Sequence, residues 1–149
     1  MARVKASLTI NSTDALSTPV SLSLSTTMDV DSGSVIRAKV ATTASSGAMT
    51  VHKADEKLVH SYLYIRNLDP VKENFLYVYA DTVETAESDK SMKDSAAAAA
   101  TSNMMKIGGG EFAFVPVPPD RGLKVYGTKT EQLLEYGVFG LDNPSNFLA

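Results

Sequence analysis

The chain has 149 residues, 44% of them hydrophobic, which suits one compact domain burying roughly 70% of the surface its unfolded chain exposes. It contains no cysteine, so disulfide staples, zinc–thiolate sites and thiol redox chemistry are excluded. The 14 basic and 17 acidic residues are scattered, giving a formal charge of −3 and no basic run to contact phosphates, so direct nucleic-acid binding is not expected.

The opening MARVKASLTINS carries two early cations, but its apolar residues alternate with polar ones instead of forming the apolar core of a signal peptide. No apolar run approaches the roughly 20 residues of a bilayer-spanning helix, and no membrane partner is expected. Val4, Ala6, Leu8 and Ile10 fall on one face of a half-buried strand, opposite Lys5, Ser7 and Thr9. In PVSLSLST, Val20, Leu22 and Leu24 likewise oppose Ser21, Ser23 and Ser25. The turn signal Asp31-Ser32-Gly33, followed by an alternating stretch from Ser34 to Thr42, predicts a hairpin across that turn. A Ser/Ala/Gly-rich loop from Thr43 to Met49 and two polar turns come next.

LVHSYLYIRN and NFLYVYAD are β-branched or aromatic and apolar on both faces, which predicts central strands. The turn LDPVKE, with Pro70 fixing φ, is expected to join them as a pair. Tyr62, Tyr64, Tyr77 and Tyr79 would then share one cross-strand patch, read either as a packing stripe or as a platform for a sugar or peptide. From Asp81 the composition turns polar and ends in the alanines 96–100, an excursion without an apolar face.

The last third supplies Gly108 to Gly110 at a tight turn, then Phe112, Phe114 and Pro116 alternating with Ala113, Val115 and Val117. Prolines place Val115 to Val117 at a strand end or sheet edge. LKVYGT and LLEYGVFG complete seven or eight short strands, the pattern of an all-β antiparallel β-sandwich or jelly roll. The expected layout is a single β-sandwich domain over 1–149 with an N-terminal arm 1–5, a long loop 81–103 and a C-terminal tail 141–149. That tail ends apolar at Phe147 and Leu148, either tucked onto its own core or inserted into a neighbour.

Motifs for chemistry are sparse. His52 and His60 are too few for a zinc centre without added carboxylates, and a pairing of either with one of the many serines would be chance. Asp29 to Gly33 matches only the opening of a calcium loop, and GGGEF lacks the Lys-Ser/Thr ending of a phosphate cradle. Glu111 and Glu135 are the acids whose strand positions beside aromatics would raise a pKa as paired catalysis requires. Neither stands in a recognisable catalytic motif, so the chain reads as a structural or binding module, with no enzyme activity and no cofactor or metal expected.

The order YLYIRNLD, NFLYVYAD, KIGGGEFAFVPVPPDRGLKVYGT and LEYGVFG resembles small virion proteins of tailed bacteriophages, over Leu58 to Phe139 without the excursion 81–103. The resemblance implies a β-sandwich building block made in the host cytoplasm and located in the virion, as a capsid decoration or cement protein or as a neck or tail component. Its implied partners are the major capsid protein or other virion proteins, and a homo-oligomer, with a trimer favoured. With the termini acting as arms, Met1, Arg3, Val4, Phe147 and Leu148 are the expected subunit contacts.

Overall fold

The computed structural model describes residues 2–14, 19–40, 48–54, 58–80, 103–119 and 121–142. They form β1 (Ala2–Ser12), β2 (Val20–Val30), β3 (Ser32–Val40), β4 (Met49–His52), β5 (Leu58–Asn67), β6 (Leu76–Ala80), β7 (Asn103–Ile107), β8 (Phe112–Val117), β9 (Leu123–Gly127) and β10 (Gln132–Asp142), with no helix among the described residues. The chain divides into two compact units, Met1–Asp31 and Ser32–Ala149.

The first unit is an antiparallel ribbon. All 11 residues of β1 pair with β2, from Ala2 opposite Val30 to Ser12 opposite Val20. At about 3.4 Å per residue it is roughly 37 Å long. Period-two alternation puts the pairs Val4–Met28, Leu8–Leu24 and Ile10–Leu22 on one face. Met28 and Val30 are buried, whereas Leu8, Ile10, Leu22 and Leu24 are 40–56% exposed. The arm expected at residues 1–5 lies, from Ala2 onward, within β1.

The second unit is the expected two-layer sandwich. Its strands nest as β3 with β10, β4 with β9, β5 with β8 and β6 with β7, all antiparallel. The lateral pairs β10–β5 and β9–β6 complete two four-stranded sheets, β3-β10-β5-β8 and β4-β9-β6-β7. One long hairpin folded over on itself in this way is a jelly roll. Leu63, Ile65 and Leu134 from the first sheet meet Leu76, Val78, Leu123 and Val125 from the second in a core closed to solvent. Each such side chain stabilises the fold by about 1.5–3 kcal/mol.

Nesting corrects three expectations. β2 pairs with β1 and β3 with β10, so no hairpin forms across Asp31-Ser32-Gly33. β5 and β6 are both central strands but belong to opposite sheets, so the LDPVKE segment is an arch between layers and not a hairpin turn. β4 lies where the end of the Thr43–Met49 loop and polar turns are expected, and β7 opens at Asn103, the last residue of the expected excursion; they are four and five residues long with little alternation. Alternation records which side chains face inward, but carries no information about which strand lies alongside. As Pro116 leads one to expect, β8 is a sheet edge among the described strands. Residues 81–102 of the excursion and 143–149 of the tail lie outside the described residues; Asn103 opens β7, and Leu141 and Asp142 close β10.

Candidate functional site

The outward face of the β3-β10-β5-β8 sheet is the most distinctive surface of the second unit. Leu63, Ile65 and Leu134 point inward, so Tyr62, Tyr64 and Arg66 of β5 and Leu133, Glu135 and Phe139 of β10 point outward. In register, Phe139 lies opposite Tyr62, which lies opposite Pro116; the next outward pair is Tyr64 with Phe114, then Arg66 with Phe112. The Tyr62 and Phe114 rings are parallel within 4° at 5.9 Å, and Phe114 continues to Phe139 at 6.5 Å. Phe112, at the rim, is 62% exposed.

A polar chain crosses this face. Glu135 accepts from Arg37 Nε at 3.0 Å through one carboxylate oxygen and from the Tyr64 hydroxyl at 2.8 Å through the other. The Arg37 and Tyr64 hydrogen bonds hold the Glu135 carboxyl below its usual value, while burial and the adjoining carboxylate push the Tyr64 phenol up. Glu135 is therefore a firmly ionised acceptor, contrary to the raised pKa expected from its aromatic neighbours, because donors outweigh desolvation. Glu111 lies in the turn before β8, not in a strand, and its carboxylate accepts the Gly108 N–H at 2.7 Å.

The four expected tyrosines do not form one patch. Tyr77 lies on the other sheet, directly opposite Tyr126 with rings 5.0 Å apart, and Tyr79 meets Tyr126 edge-on at 6.1 Å. Tyr79 and Tyr126 are both buried. Lys106 Nζ caps the edge of this group 4.0 Å from the Phe75 ring centre, a cation–π contact of about 0.5–1 kcal/mol.

One serine and one histidine do meet. His52 Nδ1 lies 2.7 Å from the Arg121 carbonyl and Nε2 lies 2.7 Å from Ser61 Oγ. A carbonyl only accepts, so Nδ1 donates to it, and in the neutral imidazole Nε2 then accepts from the Ser61 hydroxyl. The distance suits nucleophile activation, but both residues are buried and the third member is a carbonyl where an activating carboxylate would be needed. The contact ties the turn after β8 to the core. Ser61→Ala is expected to cost about 1–2 kcal/mol in urea unfolding by leaving the buried Nε2 without a donor; an unchanged midpoint would refute this role. His60 is exposed, and no metal-ligating group of three or more His, Asp or Glu side chains occurs among the described residues.

A second buried polar cluster joins three arches at one end of the jelly roll. Asn67 Nδ2 donates to the carbonyls of Asn74 and Ile107, while its Oδ1 accepts from the Asp69 N–H and from Gln132 Nε2. Gln132 Oε1 accepts from the Thr128 and Lys129 N–H groups. Buried Asp69 accepts from Asn74 Nδ2, the Val71 N–H and Lys129 Nζ, which together lower its pKa, the Asn74 bond most. A carboxyl depressed in the folded state stabilises it above the ordinary value of about 4, and that contribution is lost as pH falls through the folded-state pKa. The urea midpoint should therefore drop on acidification below about pH 4. Asp69→Asn should be less stable at neutral pH and show a shallower acid limb; a limb as steep as wild type would assign the acid response elsewhere.

Of the expected subunit contacts, Arg3 and Val4 lie in β1. Arg3 is exposed and pairs with Asp29 at 3.4 Å, and half-buried Val4 faces Met28 across the ribbon. Met1, Phe147 and Leu148 lie outside the described residues. Nothing local in the sequence sets Phe114 and Phe139 beside Tyr62; the alternation in FAFVPV signals an outward aromatic row, but its neighbour is set by topology. No protein-family description matches the chain, and no curated protein is similar to it in sequence.

Proposed function

We propose that the chain is a structural subunit of a tailed-bacteriophage virion that decorates and cements the capsid shell by bridging neighbouring capsid subunits. The observation that carries this reading is the β1–β2 ribbon, whose apolar face is open at Leu8, Ile10, Leu22 and Leu24. Two-stranded ribbons are marginally stable alone in water, and cross-strand Leu and Ile pairs gain by being covered. A capsid subunit supplies that cover, and many copies of one modest contact add up on a shell. Jelly rolls recur in viral shells and in lectins, which supports the reading by analogy of fold only. A trimer fits threefold and quasi-threefold shell positions.

The test is co-sedimentation with shells of the phage that encodes the chain. The double variant Leu8→Ser, Leu24→Ser removes about 2 kcal/mol of available burial, so attachment should weaken at least about tenfold. The thermal transition of the jelly roll should be unchanged. Attachment at wild-type strength would overturn the ribbon as the clasp. Light scattering that shows a hexamer or larger ring would move the role to the neck or tail.

A further inference from the structure

We propose that the outward face of the β3-β10-β5-β8 sheet binds an acidic polysaccharide, its sugar rings stacking on Tyr62, Phe114 and Phe139 and a carboxylate pairing with Arg66. The three rings are half-buried, with Phe114 of β8 standing between Tyr62 of β5 and Phe139 of β10, and Phe139 reaches on to β3. There Gly33 makes room: a Cβ at Gly33 would collide with Cδ1 of the Phe139 ring and stand 3.0 Å from its Cε1. Glycine within a strand costs roughly 0.5–1 kcal/mol relative to alanine, so its use here marks a close approach that lets the ring cross β3. The resulting aromatic strip is apolar, and pyranose rings present a comparably apolar C–H face to it.

Charge selects the kind of sugar. On this face β3, β5 and β10 direct Arg37, Lys39 and Arg66 outward against Glu135, with Glu131 of the β9–β10 arch beside Lys39, on a chain whose formal charge is −3. Arg37 is bound to Glu135, and Lys39 lies 3.9 Å from Glu131. Arg66 is exposed; it hydrogen-bonds the Tyr64 side chain and its charge helps lower the Glu135 carboxyl, but no salt bridge holds it among the described residues, so its remaining N–H donors can meet a ligand carboxylate. Glu135 keeps lone pairs for sugar hydroxyls.

Size argues against the other occupants. The aromatic patch, four strands at about 4.8 Å spacing by the five residues from Phe112 to Pro116, covers roughly 14 by 17 Å, near 250 Å². A stable protein partner or second copy needs about 800 Å² per side. A nucleic-acid strand would gain little from one open cation, since its affinity grows with the number of neutralised phosphates.

The inference is independent of the virion reading and is tested on the purified chain by calorimetric titration. The probes are oligomers of galacturonate, of alginate and of hyaluronan, with methyl-esterified oligogalacturonate and oligo-dT for comparison. At least one acidic oligomer should bind with a Kd at or below about 1 mM. Arg66→Gln should weaken that binding about tenfold and leave the weaker binding of the ester unchanged, while Tyr62→Ala should weaken both and Tyr62→Phe neither. Thermal unfolding confirms that each variant is folded. The proposal is overturned if no acidic oligomer binds, if the ester binds as tightly as the acid, if folded Tyr62→Ala binds normally, or if oligo-dT binds more tightly than every sugar.

Discussion

Asn67→Ala is expected to lower the unfolding free energy by about 4 kcal/mol, because four hydrogen bonds, three of them buried, end on one fully buried carboxamide. Truncation leaves the Ile107 carbonyl and the Asp69 N–H without their side-chain partner, while the Asn74 carbonyl and Gln132 Nε2 keep only their mutual bond at 3.1 Å. Each unsatisfied buried group costs about 1–3 kcal/mol, and part of the sum is recovered by relaxation or an entering water. The Asn67 backbone stays anchored, its N–H donating to Glu111 and its carbonyl accepting from Gly110, so local structure should persist while the arches loosen. Urea unfolding checks this through the midpoint at constant slope. A loss under about 1 kcal/mol would mean that the three arches are held by their backbones alone.

Gly109→Ala should cost about 3 kcal/mol, for a steric reason. A Cβ at Gly109 would be driven onto the Val71 carbonyl and come within 2.7 Å of the Asp69 carbonyl oxygen. Those are backbone atoms of the arch between β5 and β6, and the arch is itself fixed by the Asn67 and Asp69 side chains, so neither wall can yield cheaply. Its neighbour supplies the control. Gly110 has φ +82° and open space around its Cβ position, so Gly110→Ala meets only the left-handed backbone penalty of about 1–2 kcal/mol. Equal losses for the two alanines, read by the same urea midpoints, would remove close approach as the cause.

Both predictions concern residues whose part was not visible in the chain. Asn67 stands at the end of LVHSYLYIRN like any polar strand terminus, and the GGG run advertises a turn without saying what presses against it. Gln132 gives no signal at all, yet it is the partner that brings the β9–β10 arch to Asn67. Glu135 shows the same gap in electrostatic form. Its aromatic neighbours could be read from LLEYGVF, but Arg37, whose hydrogen bond reverses the sign of the expected pKa shift, comes from a strand far away in the chain.

The all-β class and the existence of most strands were determined by the sequence itself, because period-two alternation and Gly/Pro turns are local properties. Only the tertiary structure decided which strands lie side by side. Partner choice depends on how the whole core closes, with consecutive strands from β3 to β6 alternating between sheets and β6 meeting β7 from across residues 81–102. That closure separates Tyr62 from Tyr77, sets Tyr62 beside Phe114, and places Arg66 and Glu135 on the same aromatic face.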